Sequence, residues 1–512
     1  MENSQGREKI LKVCDAISIW GIFLLFFALP FEEEDRTIYY GVQIMAIGGW
    51  FARIIFESTL RQWKKTAWQY MGAILLSVIV VLLFGRRPFT EVYLTFLWEV
   101  GILTFFLLFI LNRENPFRPS VSKWKLKKIF DYSLALYGLA VYLSAFLSYF
   151  PDDSFPQLRK GFVTYLLIYL CISNNIRKFG KFKKVILAGF ISVAIISVVV
   201  FIQGLMFPLG NYDVKGWLVR REAVRLFNPY STNPLFHVQF PFDHFYKTGL
   251  ILAVGLQLVM VQYFITIRRV SRRWVTGIAL IAYTAIIFTL SRSAFNAALV
   301  SMILLISITK KKYFITLAVI LLLTFLIVPG IVKDFYMDMF EPANYNDPDS
   351  RMSFRLERWT LVGEMIARNP IVGTGYGWKQ FPEAARYVRP GAGFERDAHP
   401  YSWYLQRAQE SGLLGLGAFL SFSVTLFALL FIRWKDQPAI SYYRGINAAL
   451  ISMLAVPYIF GFVSYVYLGA PELLVWIIYG LCTAYLKLTV KPFDIEERRR
   501  ELERQRPDTE WA

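Results

Sequence analysis

Apolar residues along this chain fall into runs that are long enough to cross a lipid bilayer, and short polar connections separate most of them. A membrane-spanning helix needs about 20 apolar residues, because each residue adds about 1.5 Å along the helix axis. The pattern predicts about fourteen such helices. Their approximate positions are residues 15–31, 38–56, 66–84, 93–112, 131–150, 160–175, 185–207, 244–267, 274–290, 293–309, 313–332, 412–432, 445–464 and 471–488.

Two of the polar connections are longer than a link between neighbouring helices requires. They cover residues 208–243 and 333–411. The fold class predicted from this pattern is all-α: a polytopic transmembrane helical bundle with a large extracytoplasmic loop that contains interfacial helices. The predicted parts are a transmembrane bundle that includes the shorter loop, the large loop, the C-terminal transmembrane helices and a cytoplasmic tail, at residues 1–332, 333–411, 412–488 and 489–512.

The large loop contains an amphipathic stretch from Phe354 to Ala367, which Asn369-Pro370 should end because proline cannot continue a helix. Apolar residues share one side of this stretch: Trp359, Val362, Met365 and Ile366. Charged residues occupy much of the rest: Arg351, Arg355, Arg358 and Glu364. Two interpretations stay open. The helix lies along the outer membrane interface as an anchor, or it positions a substrate.

The composition agrees with a membrane protein, since 56% of the residues are hydrophobic and only 18% are charged. The net charge of +19 comes from short basic clusters that lie between apolar runs. Their alternation with neutral or acidic connections follows the positive-inside rule and predicts that both termini lie in the cytoplasm. No basic face with stacking aromatic residues is present, which argues against a nucleic-acid partner. The pair Arg86-Arg87 is an exception to the alternation.

The three cysteines, Cys14, Cys171 and Cys482, lie near predicted cytoplasmic helix ends. We therefore expect no disulfide framework in the exported loops. The first apolar run follows a basic segment and precedes no small-x-small cleavage motif. We expect it to be a retained helix and not a removed signal peptide.

The three histidines, His237, His244 and His399, all map to the two long outer connections or their edges. Histidine is the side chain that most readily acts as a base near neutral pH. The sequence therefore makes each of them a candidate general base, and chance placement in a loop is the alternative.

Arginines on the outer side are candidates for binding phosphate. Arg292 lies in a tight turn between two apolar runs, where the positive-inside rule disfavours a lone arginine. Arg220, Arg221 and Arg225 crowd the shorter outer loop. A guanidinium binds phosphate oxygens bidentately, so converging arginines would suit a diphosphate. Anchoring by Arg292 at the membrane surface, and contact of the other three with lipid headgroups, are the alternatives.

Other patterns are weaker. The segment Gly373-Thr374-Gly375-Tyr376-Gly377 lacks phosphate-loop spacing and predicts a turn that permits close backbone approach. Acidic residues at Glu32–Asp35 and at Asp347 and Asp349 could hold a divalent metal, although a solvated loop is the commoner explanation. They leave a metal-dependent transferase as one alternative. A lipid-linked-glycan flippase is another, with Glu99 as its main candidate for a buried charge.

Four motifs follow one another in the second half of the chain. They are Thr289-Leu290-Ser291-Arg292-Ser293, then Ser353-x-Arg355-x3-Trp359, then Pro370-Ile371-Val372-Gly373-Thr374-Gly375, and last His399-Pro400-x3-Tyr404-Leu405-Gln406-x3-Glu410-x-Gly412-Leu413-Leu414-Gly415. In this order, on the predicted outer face, they resemble the bacterial O-antigen ligase/polymerase superfamily. The resemblance covers about residues 240–420, and the first 200 residues resemble the family only as generic membrane helices.

The resemblance implies a glycosyltransferase that needs no metal or cofactor and acts at the outer face of the cytoplasmic membrane. In-line attack of an activated acceptor hydroxyl on the anomeric carbon predicts that the enzyme is inverting. Its implied partners are an undecaprenyl-diphosphate-linked glycan, a glycan or lipid acceptor, and the lipid bilayer. In similar ligases two arginines bind the diphosphate and a histidine activates the acceptor hydroxyl. The matching candidates are Arg292, Arg220, Arg221 and Arg225 for the diphosphate, His399 or Tyr401 for catalysis, and Arg355, Trp359, His244 and Glu410 for substrate positioning.

The chain departs from this family pattern at the histidine motif. Many relatives have His-Pro-His-Asn, whereas this chain has His399-Pro400-Tyr401-Ser402. Either His399 or Tyr401 could therefore occupy the activating position. Fourteen spans and a large second loop favour a polymerase over a ligase, and both remain open. Four tryptophans could stack on sugars or lie in the interfacial aromatic belt: Trp217, Trp359, Trp378 and Trp403.

Overall fold

The structure of this protein, a computed structural model, is almost entirely helical in the residues it describes. These are residues 2–29, 36–57, 124–206, 223–224, 235–236, 245–266, 269–309, 351–390, 399–437, 442–464, 466 and 469–488. The all-α prediction is therefore confirmed.

The helices are separated by one short pair of strands. The first group comprises α1 (Glu2–Ala28), α2 (Arg36–Glu57), α3 (Trp124–Phe146), α4 (Pro151–Gln157), a π-helix (Leu158–Val163), α5 (Thr164–Asn175) and α6 (Phe179–Met206). Strands β1 (Ala223–Val224) and β2 (Leu235–Phe236) pair antiparallel, with Ala223 opposite Phe236. The second group comprises α7 (Phe245–Ile265), α8 (Arg269–Phe288), α9 (Arg292–Thr309), α10 (Arg351–Arg368), α11 (Gln380–Val388), α12 (Trp403–Lys435), α13 (Tyr442–Val463) and α14 (Ala470–Lys487).

Eight helices in the described part of the chain are long and apolar enough to cross a membrane: α1, α3, α6, α7, α8, α9, α12 and α13. The chain is therefore a multi-pass membrane protein. The predicted spans at 66–84, 93–112 and 313–332 lie outside the described residues. So do most of the loop at 208–243 and the first part of the loop at 333–411.

Helix α12 is broken at Gly412, whose φ of 67° and ψ of −174° are not helical, so a short segment from Trp403 precedes the break and a longer one follows it. The longer segment agrees with the span predicted at residues 412–432. The segment before the break carries Gln406, Arg407, Gln409 and Glu410, and these polar residues ended the apolar run in the sequence pattern. All four are buried inside the protein. Hydropathy therefore missed only the segment before the break, because the partners of its polar residues come from distant parts of the chain.

Helix α7 lies inside the bundle and packs against α6, α8, α9 and α13. One end of the bundle is basic: Arg53 pairs with Asp15 at 2.9 Å, and Nζ of Lys487 donates to the carbonyl of Ser173 at 2.8 Å. In the described part of the protein three cysteines are buried free thiols: Cys14, Cys171 and Cys482. Helices α7, α9, α12 and α14 all begin at the opposite end, which we call the site end.

Helix α10 corresponds to the predicted amphipathic stretch, and it ends at Arg368, just before Asn369-Pro370, as predicted. Its apolar face packs on α11 and forms a small core of Leu361, Val362, Met365, Phe381, Ala384, Ala385 and Val388. Leu405 of α12 also packs against this core. The apolar face is thus covered by protein, which disfavours the interpretation of α10 as a membrane anchor. Arg358, expected on the charged side, is buried.

Candidate functional site

Arg292 is the first residue of α9 and follows a tight turn at the site end. Leu290 has a positive φ of 53°, which is uncommon for a branched residue. Thr289 Oγ1 accepts a hydrogen bond from the Ser291 amide at 3.3 Å, and Ser291 Oγ accepts one from the Ala294 amide at 3.4 Å. These bonds hold the turn and orient the start of α9. The half-buried Arg292 therefore begins its helix at a defined point of the bundle.

The first turn of α7 packs directly on the Arg292 turn. A Cβ on Gly249 would lie 2.9 Å from Cβ of Ser291 and 2.8 Å from Cβ of Ala294, so only glycine permits this approach. Two residues before Gly249 lies Lys247, a buried cation that sequence reasoning did not identify. Its only sequence signal was a lysine just inside the outer end of an apolar run.

His399 lies in a turn that leads into α12, and its side chain is only 4% exposed. Its ring lies 6.0 Å from the ring of Trp378, measured between centroids. Two residues later Tyr401 is half-buried and has a positive φ of 52°. Ser402 then has extended backbone, and its carbonyl accepts a hydrogen bond from the Gln406 amide at 2.9 Å. The turn is therefore fixed on both sides, by Trp378 and by the start of α12.

Ser464, just after α13, connects the Arg292 turn to the His399 turn. Its Oγ donates to Oγ of Ser293 at 2.7 Å, and its carbonyl accepts a hydrogen bond from the Trp403 amide at 3.0 Å. Arg292 precedes Ser293, and His399 lies four residues before Trp403. The structure thus brings together two motifs that are more than a hundred residues apart in sequence.

Trp403 is buried and packs on Phe419 and Tyr458, with ring centroids 4.9 and 5.6 Å away. Its role in this geometry is to fix the start of α12. Trp378 is half-buried beside His399, and Nζ of Lys379 lies 5.9 Å from its ring. Of these two tryptophans, Trp378 is therefore the better placed to contact a sugar.

The segment from Pro370 to Gly377, which we call the glycine loop, packs backbone to backbone on α12. The amide of Thr374 donates to the Gln409 carbonyl at 2.9 Å, and the amide of Leu413 donates to the Pro370 carbonyl at 2.7 Å. Gly373 has a φ of 72°, and a Cβ there would lie 2.4 Å from the Gln409 oxygen. The predicted close backbone approach is confirmed, and its partner is the motif that contains Glu410.

Glu410 lies inside the protein with no exposed surface. Its Oε2 accepts a hydrogen bond from Nη1 of Arg407 at 2.8 Å, and its Oε1 accepts one from Nε2 of Gln406 at 2.9 Å. Nη2 of Arg407 pairs with Oε1 of Glu472, near the start of α14. A substrate-positioning role for Glu410 would therefore be indirect. Sequence reasoning missed Arg407 and Glu472, although the spacing of Arg407 and Glu410 by three residues is typical of a helical ion pair.

Arg355 and Trp359 lie one turn apart on α10, and both are half-buried. Their helix, α10, packs on α12, and this contact connects them to the rest of the site. The other candidates lie outside the described residues: Arg220, Arg221, Arg225, His237, His244, Trp217, Glu99, Asp347, Asp349 and the run Glu32–Asp35. Within the described ranges there is no group of three or more His, Cys, Asp or Glu residues that could hold a metal ion.

Residues 277–420 match the family model described as O-antigen ligase. The chain contains an O-antigen ligase domain. This confirms the resemblance to the O-antigen ligase/polymerase superfamily and supports a broadly similar function. The O-antigen ligase domain includes the Arg292 turn, α10, the glycine loop, His399 and the first half of α12. Ser464 and Glu472 lie beyond it. A comparison with curated proteins finds no match to the chain.

Proposed function

We propose that this protein transfers a glycan from an undecaprenyl-diphosphate carrier to a hydroxyl of a glycan or lipid acceptor, at the outer face of the cytoplasmic membrane. The O-antigen ligase domain supports this class of reaction. The observation that carries the proposal is the contact through Ser464, because it joins the helix that begins with Arg292 to the turn that contains His399. A cation and a base are thereby held at the same end of the bundle.

The site end suits an anionic leaving group. Arg292 starts α9, Trp403 starts α12, and α14 begins close by, since Arg407 of α12 pairs with Glu472 in the first turn of α14. Helix N-termini carry partial positive charge and attract phosphate groups. A partly buried guanidinium at one of them would bind the diphosphate more strongly than it would in water, because the local dielectric is lower. Lys247, which is buried two residues before Gly249, adds a second cation near the same turn.

In the proposed reaction the acceptor oxygen attacks the anomeric carbon while the bond from that carbon to the diphosphate breaks. His399 takes the proton of the acceptor hydroxyl, and Arg292 stabilises the charge that develops on the diphosphate. A single in-line displacement inverts the anomeric configuration. We assign the base to His399 and not to Tyr401, because the ordinary pKa of a phenol is about 10 and that of imidazole is about 6.5.

The orientation follows from charge. Basic residues gather at the end opposite the site, including Arg273, Arg433 and Lys487. By the positive-inside rule that end faces the cytoplasm, so the site faces outward. A lipid-linked donor and a surface-polysaccharide acceptor would both be available there.

The test is transfer by the purified protein in lipid vesicles, with a polyprenyl-diphosphate-linked glycan as donor. Arg292→Lys keeps the charge but removes the bidentate fork. We expect a loss of about 2–4 kcal/mol of transition-state stabilisation, or about 30- to 1000-fold in rate. Arg292→Ala should be at least as damaging. The matched control is Arg273→Ala, at the opposite end of the bundle, which should leave the rate near that of the wild type. Wild-type transfer by a normally expressed Arg292→Ala variant would contradict the proposal.

Ligase and polymerase differ in the acceptor, and the products distinguish them. Mass analysis of surface glycans from a deletion strain would show unattached but intact polymer if the protein is a ligase. Single repeat units would indicate a polymerase. Normal surface glycans in that strain would contradict both.

A further inference from the structure

Three charged side chains meet inside the protein next to the site. Arg407, Glu410 and Glu472 are each no more than 1% exposed. Arg407 lies between the two glutamates and pairs with both. We call these three residues the buried triad. It contains one positive charge and two groups that can carry a negative charge.

Aromatic side chains from three elements face Arg407 in the buried triad. The carbon Cζ of Arg407 lies 5.8 Å from the ring of Tyr376 in the glycine loop and 5.9 Å from the ring of Trp403. The phenol of Tyr137 on α3 also interacts with Arg407. Both phenols are neutral at ordinary pH. Among the described residues around the triad, Arg407 is thus the cation that offsets the two carboxyl groups.

If both carboxyl groups were ionised, the buried triad would carry one uncompensated negative charge. An isolated charge in a low-dielectric interior is strongly unfavourable, and the usual outcome is that the group takes up a proton. The two glutamates differ in their hydrogen bonds. Both oxygens of Glu410 accept a hydrogen bond, one from Arg407 and one from Gln406. In the described part of the protein Oε2 of Glu472 accepts none, and the indole of Trp476 also faces this carboxyl group.

We propose that the buried triad is a neutral unit that holds one proton, carried by Glu472, and that it positions the His399 turn relative to the glycine loop. Glu410 remains ionised, because both of its oxygens accept hydrogen bonds. Arg407 ties the first turns of α12, which follow His399, to the start of α14. The carbonyl of Glu410 accepts hydrogen bonds from the Gly375 amide at 3.3 Å and from Oγ of Ser144 on α3. The triad therefore fixes both elements that bring Trp378 and His399 together.

Infrared spectroscopy of the full chain in lipid vesicles tests the proton directly. A protonated carboxyl group has a C=O band that a carboxylate lacks, so difference spectra between wild type and variants count protonated groups. Charge balance predicts one such group in the buried triad of the wild type. Glu472→Gln should remove the band, and Arg407→Met should about double it, because both glutamates then need protons. The matched control, Glu383→Gln, removes an exposed glutamate that pairs with Arg386 at the protein surface and should not change the band.

An unchanged band in Glu472→Gln would overturn the proposal, and so would an unchanged band in folded Arg407→Met. If Arg407→Met does not fold, Arg407→Lys serves instead. It keeps the charge, so the band should remain, and a doubled band would overturn the charge balance.

The positioning role rests on the proposed function and is read by transfer kinetics. Glu472→Gln should keep the transfer rate within about twofold, because an amide has nearly the shape of a neutral carboxyl group. Arg407→Lys should lower kcat by about tenfold or more, because one ammonium cannot span both carboxyl groups. The donor KM should stay within about twofold, because Arg292 is untouched. A fall in donor affinity with unchanged kcat would overturn the positioning role. If the wild type transfers no glycan while the infrared bands follow the predicted pattern, the proposed function fails and the proton assignment stands.

Discussion

Replacing Gly412 by alanine should separate the glycine loop from α12. Gly412 has φ 67° and ψ −174°, a region that essentially only glycine occupies. A Cβ there would lie 2.1 Å from the carbonyl oxygen of Ile371 and 2.3 Å from its carbonyl carbon. Both contact atoms belong to the backbone, so no side chain can move away to relieve the overlap.

The cost follows from these contacts. The backbone conformation alone is unfavourable for alanine by about 1–3 kcal/mol. Separating the two segments also breaks the hydrogen bond from the Leu413 amide to the Pro370 carbonyl, which contributes about 1 kcal/mol. We therefore expect Gly412→Ala to lower the free energy of unfolding by about 2–4 kcal/mol. Transfer activity should fall as well, because the glycine loop leads to Trp378 beside His399.

The assay compares thermal unfolding of Gly412→Ala and Gly417→Ala in detergent, followed by circular dichroism. Gly417 lies in the same helix, and a Cβ there would meet no atom within 4 Å. Alanine at that position should be neutral or stabilise the helix by about 0.5–1 kcal/mol. If the two variants unfold at the same temperature, the strain and the close approach inferred for Gly412 are wrong.

Further perturbations test other parts of the structure. Ser464→Ala should lower kcat several-fold with little change in melting temperature, because it removes the hydrogen bond to Ser293; a wild-type kcat would show that this bond does not organise the site. Transfer should survive EDTA, because arginine supplies the positive charge in the proposed mechanism. If EDTA abolished activity and a divalent ion restored it, the charge of the diphosphate would be neutralised by a metal bound to the acidic residues and not by arginine. The hydrogen-bonded guanidinium of Arg389 lowers the pKa of Glu364. A lowered folded pKa means that the ion pair stabilises the loop above the ordinary glutamate pKa of about 4.3 and that this contribution is lost as the pH falls further. The melting temperatures of wild type and Glu364→Gln should therefore converge in acid, and a constant difference would contradict this linkage.

The lengths of the apolar runs predicted the fold class, because every helix that crosses a bilayer needs about 20 apolar residues. The described spans lie close to their predicted positions, as for α9 at Arg292–Thr309 against residues 293–309. For α12 the predicted start near residue 412 coincides with the break at Gly412. The helical segment before the break was missed, since hydropathy treats Arg407 and Glu410 as loop residues. Their burial depends on Glu472, which lies more than sixty residues away in sequence. Periodicity likewise identified the apolar face of α10, but it could not show that α11 covers that face.

The site was only partly accessible to sequence reasoning. Arg292 and His399 could be proposed from the sequence because a charge at a membrane edge and a rare titratable residue are both local signals. Ser464 has no such signal, since a serine after an apolar run is common, and its importance follows only from the two helices it joins. Lys247 likewise has no distinctive signal in the sequence. Its relevance follows only from Gly249, two residues later, which packs on the Arg292 turn.

The contact through Ser464 has a consequence for how the protein is made. A ribosome completes the O-antigen ligase domain at residue 420, before it has synthesised α13, Ser464 or α14. A nascent chain at that stage contains Arg292 and His399 but not the residue that links their turns. It also lacks Glu472, so Arg407 enters the membrane with only Glu410 as its partner. The contacts that complete the site end can therefore form only after the last two helices have been made, so an unfinished chain lacks the complete site.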